Sequence, residues 1–289
     1  MLDEVHQILP LQSTDEYECI LGTIGEHSVV IVSVPIGDYD PETPSPLPAW
    51  LKFRFHSIQF CIIAGIGSGV PSKEHDVRLG DIVVSEPGHG HNGAREYGLG
   101  KTSSLNDHPQ RPQLQRLPID VSAAISAIQT REFIQVEGSP ITKFLIMEPA
   151  SRAAELSQRP SLISDWLYEA EYQHNGEFDT CLSCDRSKLV SRPSRDSYEP
   201  WIHLESIAVI NRVVKDARVR DRLSENIALC MEMGTAGLSD DFPCLRIRGI
   251  ADYADTHINE HWQGYAAIVS AAYVKALLLQ VSAVQVDSS

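Results

Sequence analysis

One stretch constrains this chain more than any other: residues 227–262, IALCMEMGTAGLSDDFPCLRIRGIADYADTHINEHW. It reads as a buried strand (227–231), a small-residue helix opening at Thr235, a second buried strand (243–250) and an acidic loop that begins at Asp252. Two apolar runs this short, joined through a helix, specify part of an α/β sheet. Ligands of such sheets sit beyond the carboxyl ends of the strands. Glu232, Met233 and Asp252 are therefore expected together at one rim. A carboxylate directly after a buried strand suits general acid–base work. The same aspartate would equally serve as a turn or helix cap.

The rest of the chain supplies enough strands to complete such a sheet. Residues 17–24 and 28–35 read as a hairpin, and 57–64, 81–86 and 201–209 as further strands. Helices are expected at 120–133, 151–157, 164–172, 211–226 and 264–281, and residues 1–10 as the tail of another. Residues 38–48, DYDPETPSPLP, carry four prolines and read as loop. No repeat is visible, and strands alternate with helices throughout. A single domain over 1–289 follows, interrupted by an insertion at about 160–200 whose basic end (186–200) reads as a surface excursion.

Gly65-Ile66-Gly67-Ser68-Gly69 follows the strand at 57–64. A glycine-rich turn there points backbone N–H groups at an anion, or is simply a tight turn. It has neither the GxGxxG spacing nor the GKS/T of a phosphate loop. His89 and His91 lie in a loop that lacks the ligands to complete a metal site. Cys181-Leu-Ser-Cys184 is half a zinc site, a redox pair or two free thiols. His174 and His203 are the histidines on hand for it, at no finger-like spacing, and no metal site is assigned.

Charge and composition exclude several classes. The formal net charge is −15, which argues against a nucleic-acid partner, since phosphate contacts need a basic face. Apolar residues make up 43% of the chain, ample for a core. The segment MLDEVHQILP has no signal-peptide pattern, and residues 266–286 carry Lys275 and Gln280, so a buried helix is expected rather than a membrane span. A cytoplasmic protein is the expectation.

Several runs in this order carry a family resemblance: AGIGSGVPSKEHDVRLGDIVVSEP, VVKDARVRDRL and EMGTAGLSDDFPCLRIRGIADYADTHINEHWQGYAA. Together they resemble the purine nucleoside phosphorylase/uridine phosphorylase superfamily, in its fungal nucleosidase-like branch, similar to methylthioadenosine/S-adenosylhomocysteine nucleosidases. The resemblance spans nearly all of residues 1–286, the cysteine-containing insertion included. It implies a three-layer αβα sandwich with a twisted mixed central sheet, assembled as a homodimer or homotrimer. It implies cleavage of a purine N-glycosidic bond by water or phosphate.

By the same resemblance Asp252 is the acid that protonates the purine N7. Gly65, Gly67, Ser68 and Gly69 hold phosphate or the attacking water. Met233 packs on the ribose, Glu232 lies beside it, and Asn211, Val213 and Val214 lie at the base. No cofactor is implied beyond phosphate as a possible co-substrate. A Mg²⁺ shared by Asp252 and Asp255 is not expected, because the family pattern carries both aspartates without metal.

Departures from the pattern stand beside the matches. Gly234 occupies the position of the carboxylate that grips the ribose hydroxyls. Val209 and Ile210 replace small residues, and Ile66 replaces a hydroxyl. By the resemblance Met1–Glu4 falls in the middle of a helix that follows the family's first strand; the expectation is either a shortened chain or a site of changed use, without the glutamate that orients the water. Two alternatives to a purine nucleosidase follow. One is an enzyme of the same fold repurposed in fungal specialised metabolism for a phosphorylated or largely apolar metabolite. The other is an inactive binding or oligomerisation module.

Overall fold

The computed structural model describes residues 1–7, 17–33, 46–85, 94–97, 116–134, 139–145, 158–160, 164–174, 181–197, 199–210, 213–224, 228–233 and 242–283. Three short strands form a small antiparallel sheet: β1 (Glu4–Val5), β2 (Cys19–Ile24) and β3 (His27–Val32). The hairpin turns at Gly25, whose φ of 56° suits glycine. The expected helical tail at the start of the chain is instead β1, paired with β2. Long-range partners hold it there. Asp3 accepts from the Gly25 N–H at 2.8 Å, and Lys275 Nζ donates to the Met1 carbonyl at 2.9 Å and to Asp3.

The main sheet contains β4 (Cys61–Gly69), β5 (Ile82–Ser85), β6 (Ala94–Tyr97), β7 (Ile202–Ile210), β8 (Ala228–Met233) and β9 (Cys244–Asp252), in the order β5-β9-β4-β8-β7-β6. Because β5 also pairs with β7, five strands close into a ring. The pairing is mixed. β9 runs parallel to β4, whereas β8 runs antiparallel to it. β6 lies within the expected loop at 87–101, and its backbone pairs with β7 from Ile207 to Ile210.

Helix α5 (His261–Leu278) packs on the outside of the ring. It lies so close to β9 that a Cβ on Gly249 would fall 2.0 Å from the Ala266 carbonyl oxygen, so only glycine fits there. Leu245 and Ile247, fully buried, share that outer face and join Val269, Tyr273 and Leu277 in the principal core. Helix α2 (Ile119–Ile134) buries Val121, Ala124, Ile125 and Ile128 in the same core, and the short α3 (Thr142–Leu145) lies beside α5. Helix α1 (Leu47–Arg54) begins inside the expected proline loop. Pro46 and Pro48 stand at its first turn, where a missing N–H costs nothing.

Helix α4 (Ala217–Ser224) packs near β8 and is shorter than the expected 211–226. The Asp216 carboxylate accepts from the Arg218 N–H at 3.0 Å, which starts the helix there. Residues 164–172 are not the expected helix. They form an isolated antiparallel bridge between Tyr168 and Leu189, followed by a turn at 170–171. The expected helix at 151–157, His89 and His91 lie outside the described residues.

Nor is the basic end of the insertion an excursion. Arg192 and Arg195 have side chains only 12% and 8% exposed. Arg195 clamps Asp81 with two hydrogen bonds, at 2.7 and 2.8 Å. Asp81 also accepts from the Arg78 and Trp201 N–H groups and meets His203 Nε2 at 3.0 Å. A basic, proline-containing run looks solvated by composition, but here its guanidinium groups have a buried carboxylate to neutralise.

Candidate active site

Asp252 is the last residue of β9. A register shift between Gly67 and Ser68 sets Ser68 opposite it, and the Ser68 hydroxyl hydrogen-bonds the carboxylate. Asp252 Oδ1 also accepts from the Ala254 N–H at 2.8 Å. Ala254 takes a φ of 51°, a left-handed turn that costs about 1–2 kcal/mol for an alanine. Burial, reinforced by the Asp255 charge, raises the Asp252 carboxyl above its ordinary value; the Ser68 and Ala254 hydrogen bonds and Lys215 pull against this without reversing it. A carboxyl that holds its proton longer than usual is what a general acid requires.

A network holds this turn from below. Arg220 of α4, buried, donates to the Tyr253 carbonyl at 3.1 Å and lies 3.7 Å from Asp255. Asp255 accepts from the His257 N–H at 2.8 Å. The Tyr253 hydroxyl donates to Asp165 at 2.5 Å and accepts from Arg192 at 2.8 Å and from the Leu79 N–H at 3.2 Å. The insertion thus reaches the residue next to the candidate acid. Sequence reading missed Arg220, Arg192 and Asp165. Their i-to-j separations run from 33 to 88 residues, and nothing local marks them.

The glycine-rich segment is not a turn but the second half of β4, ladder-paired with β9. Its glycines have a packing reason. A Cβ on Gly67 would lie 2.5 Å from Cys230 Sγ and 2.9 Å from the Met231 carbonyl oxygen; one on Gly65 would lie 3.2 Å from Arg248 Nη1. Across the space these glycines leave, Arg246 and Arg248 of β9 reach Glu232 of β8. Arg246 Nε donates to Glu232 Oε1 at 2.9 Å, and Arg248 Nη2 lies 2.5 Å from Oε2. All three side chains are 5% exposed or less.

β8 runs antiparallel to β4 and β9 parallel to it, and Ser68 of β4 stands opposite both Met231 and Asp252, so the end of β8 and Asp252 flank the same part of β4. Glu232 is taken up by the two arginines, and Met233, the last residue of β8, is 52% exposed. Near Asp252 lie Ser68, Lys215 and Val214, which packs with Val70 and Ala254. Val213 is 60% exposed. Gly69 packs against Ile250. Asn211 and Gly234 lie outside the described residues.

Two other features sit apart from Asp252. A cleft of about 600 Å³, lined by residues such as Gly22, His27, Phe55, Ile58 and Val121, lies at the opposite, amino-terminal end of β4. In the insertion, the donor atoms of His174, Cys181 and Cys184 lie within 4.8 Å of one another. Burial and the neighbouring Cys184 push the Cys181 thiol up to about 12, so it is no thiolate nucleophile on its own. Among the described residues, no helix is long and apolar enough to cross a membrane.

No protein-family model matches the chain. A nucleotide-binding leucine-rich repeat (NLR)-like protein of Hyaloscypha variabilis is 33% identical over 292 residues, covering 98% of this chain. The chain spans only 28% of that relative's length. Among solved structures, the 5′-methylthioadenosine/S-adenosylhomocysteine nucleosidase of Neisseria meningitidis, bound to methylthio-immucillin-A, matches with a TM-score of 0.55 and 15% identity, over 96% of this chain and 90% of that one. Futalosine hydrolase of Helicobacter pylori matches at 0.55 with 12% identity, over 97% and 90%. The nucleosidase of Colwellia psychrerythraea 34H, in complex with adenine, matches at 0.53 with 16% identity, over 96% and 88%. These likenesses show the expected fold class: a nucleoside phosphorylase-like α/β sandwich with a mixed sheet.

Proposed function

We propose that this domain cleaves the N-glycosidic bond of a purine nucleoside, with Asp252 as the general acid. The observation that carries the reading is a carboxyl at the end of β9 whose proton affinity is raised by burial, beside the Ser68 hydroxyl. A purine anion leaves poorly. Protonation at N7 by Asp252 lets the base depart neutral while the ribose passes through an oxocarbenium-like state. Water, or phosphate as co-substrate, attacks the anomeric carbon. Val214 and Val213 would contact the base, and Met233 the sugar. A homodimer or homotrimer is the assembly this reading expects.

The test is to incubate the purified protein with adenosine, inosine, guanosine and methylthioadenosine, each with and without phosphate, and to measure released base. Asp252→Asn should lower release by about 10²–10⁴-fold. Release unchanged in the variant would remove Asp252 from the mechanism.

One observation favours a second reading. The residue after Met233 is glycine, and Glu232 is locked between two arginines, so neither supplies a carboxylate for ribose hydroxyls. The domain would then bind a different, less polar metabolite, as an enzyme or as the sensing module of a longer NLR-like protein. No base release from any nucleoside, with a metabolite co-purifying, would favour it.

A further inference from the structure

The insertion that sequence reading left without a metal brings together a set of donors that calls for one. His174, Cys181 and Cys184 come from two segments of the insertion, yet their donor atoms fall within 4.8 Å of one another. Four tetrahedral ligands of zinc lie about 3.5–3.8 Å apart, so closing this group on an ion takes about 1 Å of movement. Both cysteines are buried and neither is in a disulfide. Two thiols and an imidazole are the donors zinc favours over magnesium or calcium.

A second observation points at the same place. His257 is 8% exposed, and among the described residues neither of its ring nitrogens has a hydrogen-bond partner, the Asp255 carboxylate lying 3.7 Å from Nδ1. Buried polar groups left unpaired are rare and call for an explanation. Its ring stacks on Tyr168 at 4.1 Å and on the neighbouring Tyr172 at 5.4 Å, with its centroid 5.7 Å from that of His174.

We propose that His174, Cys181 and Cys184 bind a structural Zn²⁺, with the fourth position turned toward His257. Binding exchanges the two thiol protons for the metal: both leave to solvent, two S–Zn bonds form, and no electrons are transferred. The site fastens the insertion to the loop that follows β9. The His174 N–H already donates to Thr256 Oγ1 at 2.7 Å, and Tyr168 of the insertion stacks on His257. Zinc would thereby hold in place the segment that carries Asp252 and Asp255, without touching substrate.

The experiment needs no substrate, so its outcome is independent of the nucleosidase reading. The full chain, without a histidine tag, is expressed in zinc-supplemented medium and its metal measured by mass spectrometry. About one zinc per chain is expected, falling below about a tenth in a Cys181→Ser/Cys184→Ser double variant and remaining near one in Cys19→Ser. Chelated wild-type protein should take up Co²⁺ with a thiolate-to-cobalt charge-transfer band. Zinc should protect Cys181 and Cys184, but not Cys19, from alkylation, a readout that survives if the double variant does not fold. Zinc-free wild-type protein with no cobalt band would overturn the proposal. So would a Cys181–Cys184 disulfide in protein purified from a reducing cytosol.

Discussion

Asp252 works against the stability of the domain that carries it. Its folded pKa is raised above the unfolded value of 3.8, so the native state holds its proton more tightly. A group of this kind favours the fold on the acid side, and that contribution is lost as pH rises through the folded value. At neutral pH the charged carboxylate is a cost. Asp252→Asn removes the charge while its amide oxygen can still accept from the Ala254 N–H. The variant should be more stable than wild type in urea unfolding at pH 7 and no more stable well below pH 3.8, where both carboxyl and amide are neutral. A variant that loses activity and gains stability separates chemistry from folding.

The sequence made Asp252 legible, because a carboxylate directly after a buried strand is a local pattern. Its partners were less legible. Ser68 was singled out as part of a glycine-rich turn, yet it meets Asp252 because of a register shift between β4 and β9. The resemblance sets Glu232 among the substrate-binding residues, and nothing in the sequence around it tells of Arg246 and Arg248. Both arginines sit in a run that otherwise reads as a plain buried strand.

At the scale of elements, the glycines of β4 and the charged group on β8 and β9 belong to one arrangement. The carboxylate of Glu232 and two guanidinium groups are buried together, and glycine at 65 and 67 leaves them room. Breaking such a group strands a buried charge. Glu232→Gln should destabilise the domain by about 3–5 kcal/mol by denaturant titration. Gly67→Ala should also destabilise it, because its Cβ would meet the Met231 backbone at 2.9 Å, a neighbour that cannot rotate away. A cost within about 0.5 kcal/mol for Glu232→Gln would return that side chain to the substrate.

For the whole molecule, the insertion is a structural part and not an appendage. Arg195 reaches Asp81 across 114 residues, and Arg192 reaches Tyr253 across 61. Burial alone would raise the Asp81 carboxyl, but hydrogen bonds from His203 and Arg195 reverse it, and the net shift is downward. The stability Asp81 contributes is therefore present above its unfolded value of 3.8 and lost as pH falls through the folded value. Asp81→Asn should cost about 3–5 kcal/mol at pH 7, with the difference from wild type shrinking on acidification below that value. Arg195→Ala should raise hydrogen exchange both in the insertion and around Tyr253. Exchange confined to the insertion would show that the two are not coupled.

The sequence by itself determined the principal strands β4, β5, β7, β8 and β9 and the long helices α2 and α5, since burial periodicity is written residue by residue, but not β1, β6 or α1. It also determined that a carboxylate closes β9, and through its ordered motifs it pointed to the fold class. Only the tertiary structure decided strand direction, and with it that Ser68 stands between Met231 and Asp252, because direction depends on which strands pair. It alone decided that the glycines of β4 make room for a charged group, that basic residues of the insertion are buried, and that His174 meets Cys181 and Cys184. Each of these depends on partners distant in the chain, and a charged side chain looks the same in sequence whether water or a buried counter-charge awaits it.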